Sequence, residues 1–326
     1  MKELISLKDL SHEDWLKARS TGIGSSDAAA ILGASPWKSA LELWAEKSGL
    51  LEAENLDEVE YVKWGSLLEA PIAEEYQKIT GRKIAKPEAI YQHEKYDWMI
   101  ANPDRFILDD PRGDGILEVK TASEYKVHDW DEEAPLDYQI QLQHQLAVSG
   151  YSFGSFAVLL GGNKFRWCDM ARNDSFISLL IEQEGYFWDR VKRGDPPAPD
   201  ASDSARETIL RLHPKDSGAK VFLPAQSYHW SRALREAKAC KKAAVEQIQE
   251  YGNLIEAAIG DATIGMLPPI SPELLSTMPD YEQKAYLEHP KEIFGFNWKH
   301  QHRTGYVVQE TDFRVLREEK AKKGKK

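Results

Sequence analysis

Along residues 1–200 the apolar positions keep two rhythms. Between residues 64 and 80 they recur every three or four positions, at Leu68, Ile72, Tyr76 and Ile79, which predicts a helix with one buried face. Gly81 ends that helix, and Pro71 should bend its first turns. Residues 26–32 and 39–48 read as shorter helices, the second with Leu43 and Trp44 inward and Gly49 as its stop. The rhythm shortens over 98–108 and 116–121, which read as two strands joined by the turn-rich connection DDPRGDG. Residues 139–146 fit either period. Their glutamines favour helix, with Tyr138, Leu142 and Leu146 as its stripe. Residues 153–160 read as a buried strand, and GGNK turns the chain into another over 165–170. Helices interleaved with strands predict an α/β fold with a central mixed sheet flanked by helices.

The pattern breaks at residues 194–204, GDPPAPDASDS, where prolines and small polar residues suit neither period. Beyond this break Trp230, Leu234, Ala237, Ala244, Ile248, Tyr251, Ile255 and Ala258 mark one face of a long helix, with a basic first half. Residues 294–316 read as a pair of strands turning near Gly305. The expected division is a first domain over 1–195 and an accessory region, helical with a β-hairpin, over 205–326.

A length of 326 residues suits two such units. No run of about 18 apolar residues predicts a membrane span. The start MKELISLKDL lacks the apolar stretch of a secretory signal, so the expected compartment is the cytoplasm. Two cysteines, Cys168 and Cys240, are too few for an iron–sulfur cluster. The net charge of -11 runs against a phosphate-rich partner, but it is uneven. Residues 1–200 hold 22 Lys and Arg against 36 Asp and Glu, whereas the remainder holds 20 against 17. Basic residues would have to concentrate along one groove, with bound metal attracting the backbone as well.

The chemistry concentrates in Asn102-Pro103-Asp104 and Leu117-Glu118-Val119-Lys120. On a strand Glu118 and Lys120 share one face and Val119 takes the other, so Asp104 can lie beside them across the hairpin. Two convergent carboxylates offer hard oxygen ligands to Mg²⁺, with Mn²⁺ as the alternative. Lys120 would position water or stabilise the transition state at a phosphate. Either motif alone is commonplace, but the apolar neighbours Ile116, Leu117 and Val119 put the acid and lysine where burial is costly. Glu69, beside the apolar stripe of its helix, is a third acid able to approach the metal.

Five segments in order, RSTGIGSSDAAAILGASPWKSALELWAEKSG, WGSLLEAPIAEEYQKITG, ANPDRFI, GILEVKTA and YQIQLQHQLAVSG, resemble the YqaJ-type viral recombinase family. These are phage lambda exonuclease-like members of the PD-(D/E)xK nuclease superfamily, and the resemblance covers about residues 13–175. It implies a restriction-endonuclease-like sheet and an ATP-independent exonuclease on linear double-stranded DNA, which digests the 5′-ended strand and leaves 3′ overhangs for recombination. The chain has no GxxxxGK[ST] phosphate loop, which agrees. The resemblance further implies metal ligation by Asp104, Glu118 and Glu69, catalysis by Lys120, and a role for Gln141 at the metal-bound water or scissile region, with Gln143 and Gln145 as rival glutamines. It implies a 5′-phosphate pocket at Arg19 and Ser26, where a guanidinium fork and a hydroxyl suit phosphate. A ring-shaped homo-oligomer, a trimer, a single-strand annealing partner and a phage or prophage setting are implied likewise. Trp37 reads as a buried anchor of its turn, with contact to DNA bases as the other reading. Two further functions fit the same residues: a site-specific or structure-specific endonuclease of the same fold, and a non-catalytic DNA-end binding or adaptor protein.

Overall fold

Two sheets share the first 171 residues of the computed structural model, which describes residues 1–53, 59–266, 272–277, 279–280, 283–284 and 295–297. The chain runs through β1 (Lys2–Ser6), α1 (His12–Ser20), a single 3₁₀ turn (Ser25–Asp27), α2 (Ala28–Ile31), α3 (Ala40–Lys47) and α4 (Glu60–Thr80). It continues through β2 (Lys83–Ala85), β3 (Ala89–Gln92), β4 (Ile100–Ala101), β5 (Arg105–Leu108) and β6 (Gly115–Ala122). A 3₁₀ segment (Glu124–Trp130) then leads to α5 (Leu136–Ser149), β7 (Phe153–Leu160), β8 (Lys164–Ala171) and α6 (Asp174–Arg193).

The main sheet has the order β2-β5-β6-β7-β8, and the smaller one β1-β3-β4. In the main sheet only β6 and β7 run parallel, and α5 makes the crossover between them. Helices cover both faces. Leu117 and Val119 point down onto Ile72, Ala73 and Tyr76 of α4. Ile116, Phe156 and Val158 point up onto Leu142 and Leu146 of α5. The helix expected at 64–80 starts four residues earlier, keeps Pro71 inside it and ends on Gly81 in the left-handed region.

Residues 98–108 are not one strand. β4 belongs to the small sheet and β5 to the large one, and the chain changes sheets at residues 102–104. Pro103 has no N–H to donate to a ladder, so a strand cannot continue through it. Trp37, expected to be buried, is 76% exposed.

The first compact unit ends at Asp216, later than the expected break at 194–204. The proline-rich segment leads into α7 (Asp203–Leu212), which returns to α3. Ser204 Oγ accepts from Ser39 N at 2.8 Å and donates to Glu42 Oε2 at 2.6 Å, and Ala205 and Thr208 are buried. Low helix periodicity in the linker is therefore a surface crossing within one unit.

The second unit holds α8 (Ser227–Ile259), none of whose residues is buried, together with β9 (Ile264–Met266), α9 (Pro272–Thr277) and β10 (Gly295–Asn297). β10 pairs antiparallel with β9, so the strand expected at the start of 294–316 finds its partner upstream. The remainder of that stretch, with Gly305 and the basic tail, lies outside the described residues.

A chain ending at residue 216 should melt several degrees above one ending at residue 195, because loss of α7 uncovers the face of α3. About 1 kcal/mol moves the midpoint by roughly 2–4 °C at this size. Calorimetry of the two chains checks this, and equal midpoints would restore the boundary at 194–204.

Candidate active site

The turn at Pro103 delivers Asp104 to the start of β5. Arg105 pairs with Leu117 in the β5–β6 register, which sets Asp104 opposite Glu118. Asp104 Oδ2 accepts from Val119 N at 2.7 Å, so its carboxylate is fixed by the backbone of the strand that carries Glu118 and Lys120.

Glu118 is 3% exposed, a costly position for a carboxylate unless donors surround it. Three side chains supply them. Lys120 Nζ donates to Oε1 at 2.7 Å, Gln145 Nε2 donates to Oε2 at 2.8 Å, and Gln141 Nε2 also donates to Oε1. Gln141 Oε1 in turn accepts from Lys120 at 3.1 Å. Gln141 and Gln145 are one helical turn apart, so both face the sheet, whereas Gln143 bonds Ala171 O and Asn173 N on another side. α5 can lie this close because β7 has Gly154 beneath it: a Cβ there would fall 2.6 Å from a methyl of Leu142. Buried His144 fixes the same helix from behind, bonding Glu184 Oε1 at 2.7 Å and donating through Nε2 to Ile100 O at 3.0 Å.

Lys120 lies 4.6 Å from the Tyr138 ring centroid. Burial alone would lower its pKa, but Glu118 and Asp104 outweigh that and hold it above the ordinary lysine value. The ammonium is charged at neutral pH.

Charge matching leaves one acid over. Glu118 pairs with Lys120 and Glu69 with Arg105, but Asp104 has no ion pair of its own among the described residues. Burial first, and then the Glu118 and Glu69 charges, push the Asp104 carboxyl well above the usual range. The oxygen donors of Asp104 and Glu118 are of the kind that suits a hard divalent ion such as Mg²⁺. Among the described residues no group of three or more His, Cys, Asp or Glu converges as a ready-made metal cage. Such an ion would rest on Asp104 and Glu118, with Glu69 at hand but tied to Arg105.

Arg19 and Ser26 also meet, Nη2 donating to Oγ at 2.8 Å. Arg19 stacks over Trp15 at 4.8 Å. Asp27 and Lys47 brace them: Asp27 Oδ2 accepts from Gly24 N at 2.9 Å and pairs with Lys47 at 2.9 Å, while Lys47 also bonds Arg19 O at 2.9 Å. Burial opposes the charge on Asp27, yet Lys47 and Arg19 bring its pKa down to about 2. Two cations against one anion leave this corner positive. A cleft of about 280 Å³ is lined by Arg19, Ser26, Glu69, Asp104, Glu118 and Gln141 together. Six of the seven residues singled out in the sequence thus share one cavity, and Lys120 is bonded to two of them.

Arg105 and the Asp27–Lys47 brace carried no sequence signal, and Tyr138 read only as part of a helix stripe, since their places at the site depend on contacts between distant segments. Gln145 did: its four-residue spacing from Gln141 on a helix already put the two on one face.

A central mixed sheet covered by helices on both faces, with Asp104 and Glu118-Val119-Lys120 at the joint of two adjoining strands, defines an α/β protein of the mixed-sheet kind. Residues 14–152 match the YqaJ-like viral recombinase domain. Over 265 residues the chain is 37% identical to the uncharacterized protein YqaJ of Bacillus subtilis (strain 168), across 79% of this chain and 82% of that protein. The chain belongs to this YqaJ-like viral recombinase family. It is similar to an alkaline exonuclease (LHK-Exo) from Laribacter hongkongensis, at 18% identity and a TM-score of 0.47 over 56% of this chain and 94% of that one. It is also similar to a phage related exonuclease from Haemophilus somnus 129PT, at 12% identity and a TM-score of 0.41 over 53% and 96%. No helix among the described residues is long and apolar enough to cross a membrane.

The raised Asp104 pKa has a stability consequence. A carboxyl whose folded value exceeds its unfolded value favours folding while protonated, and that contribution is lost as pH rises through the folded value. Asp104→Asn keeps an acceptor for Val119 N without the charge. In EDTA it should melt several degrees above the unsubstituted protein at pH 8, with the gap closing toward about pH 4, the ordinary aspartate range. Thermal melts across that window check it, and an equal midpoint at every pH would contradict it.

Proposed function

We propose that the chain is a metal-dependent, ATP-independent 5′-to-3′ exonuclease on linear double-stranded DNA, which generates 3′ single-stranded overhangs for phage-type recombination. The observation that carries this reading is the shared cleft: a positive, hydroxyl-bearing corner at Arg19 and Ser26 opens into the same cavity as Asp104, Glu118, Glu69 and Gln141. A phosphate-terminated end held at the corner would leave a neighbouring phosphodiester facing the acids.

Asp104 and Glu118 would hold the divalent cation, with Glu69 as a third acid beside them. A bound Mg²⁺ or Mn²⁺ supplies Lewis-acid polarisation of the phosphodiester and neutralises charge that develops on it. The protein's own part is positioning. Gln141 and Gln145 fix the Glu118 carboxylate, and Asp104 is fixed by Val119 N. The Lys120 ammonium has three donors, of which Glu118 and Gln141 take two, leaving one for an attacking water or a phosphate oxygen. The Arg19 guanidinium can clamp a terminal phosphate in bidentate fashion, with the Ser26 hydroxyl as a second donor. A homo-oligomeric ring and a single-strand annealing protein are the partners this family reading favours.

The test is digestion of linear duplex with 5′-phosphate or 5′-hydroxyl ends, alongside closed circular DNA, in Mg²⁺. The linear form alone should be degraded. Lys120→Ala should lose about 10²-fold or more in rate, the scale of removing one transition-state donor. Arg19→Ala should lose its preference for the phosphorylated end while still cutting. Cleavage of circles would turn the reading to an endonuclease, and binding of ends without cleavage to the adaptor function.

A further inference from the structure

The small sheet ends at the active site, and it brings two lysines there. Ser6 of β1 pairs with Ala89 of β3, and one step further Leu7 N donates to Glu88 O at 2.8 Å. Beyond that last rung the two chains diverge, one into the turn at Lys8 and the other into Lys86-Pro87. Asp9 sits in the left-handed region at φ 57°, and Leu10 N reaches Leu7 O at 3.4 Å to close the turn. The backbone that presents Lys8 is thereby defined on both sides.

Lys8 and Lys86, both exposed, line a cleft of about 720 Å³ together with Glu69, Glu88, Asn102 and Asp104. Glu69, Asn102 and Asp104 also line the smaller cavity that holds Arg19 and Ser26. The two cavities therefore adjoin, with Glu69, Asn102 and Asp104 on the wall they share.

Most cations of this acidic unit are already spent on acids: Lys38, Lys47, Lys83, Arg82, Arg105 and Arg112 each make an ion pair. Lys8 and Lys86 have no ion-pair partner among the described residues. Exposed cations beside carboxylates, on the approach to a phosphodiester site, have the chemistry of backbone contacts rather than of fold stabilisation.

We propose that Lys8 and Lys86 form a second phosphate-binding station, which holds the sugar-phosphate backbone of duplex DNA on the side of Asp104 away from Arg19 and Ser26. This rests on the exonuclease reading and extends it: the DNA lies along the two cavities, with one end gripped at Arg19 and the duplex beyond the scissile bond held electrostatically. The contacts are to phosphate, so they carry no sequence preference.

Anisotropy of a labelled 5′-phosphorylated linear duplex, in Ca²⁺ and with salt varied from about 50 to 200 mM, tests the station. For the Lys8→Ala, Lys86→Ala double variant the slope of log affinity against log salt should flatten by about 1.8, at about 0.9 per lost contact. The Lys8→Arg, Lys86→Arg variant should restore the slope. Lys164→Ala, an exposed lysine on β8 outside both cavities, should leave it unmoved. A double alanine variant with the unsubstituted slope and affinity overturns the station while leaving the exonuclease reading intact. Failure of the unsubstituted protein to bind duplex ends at all overturns both.

Discussion

The buried carboxylate of Glu118 is the constraint around which the first unit is organised. A charge at 3% exposure in the middle of a sheet survives only if its oxygens find donors. Those donors come from β6 itself, through Lys120, and from a helix that must lie within hydrogen-bond reach above it. The parallel β6–β7 pairing, the α5 crossover and Gly154 all serve that approach. His144 then holds α5 to α6 and to β4 through a buried pair with Glu184 and a bond to Ile100 O, so the helix that secures Glu118 is also tied to the strand leading into Asp104.

The same arrangement creates the site's chemical demand. Glu118 takes the half-buried Lys120, and Arg105 is used on Glu69, so among the described residues Asp104 is left without an ion pair of its own. Burial, with the Glu118 and Glu69 charges, drives its pKa upward, and perturbed acids of this kind cluster at functional sites. On the proposed reading a divalent ion would offset this crowding of acids. On that reading the acidic composition is compatible with a polyanionic substrate, because a bound metal would relieve repulsion by the acids, and Lys8, Lys86 and Arg19 line the cavities that adjoin them.

The strand that carries Glu118 and Lys120 was legible because strand geometry is local. A period of two puts Glu118 and Lys120 on one face whatever the fold, and Pro103 marks a break whose consequence is a change of sheet. The helical reading of 139–146 rested on glutamine's propensity and a stripe of apolar positions, and it yielded α5. What the sequence could not show depends on distant contacts: the pairing of Arg105 with Glu69, the Asp27–Lys47 brace, and the return of α7 to α3 across a linker that looks like a boundary. Family resemblance singled out Arg19 and Ser26, which local spacing would have left as a surface arginine and a helix cap, and the structure brings the two side chains together. Trp37 shows the opposite failure, since an aromatic beside a proline reads as an anchor and is instead largely exposed.

The central claim is that Asp104 and Glu118 together form a cation site. Crystals soaked in Mn²⁺ and measured at the manganese absorption edge address it directly, because the anomalous signal locates the ion without reference to activity. The account predicts a peak in contact with both carboxylates, absent from Asp104→Asn crystals. A saturated soak with no peak at these residues, or with manganese bound only elsewhere, would contradict it.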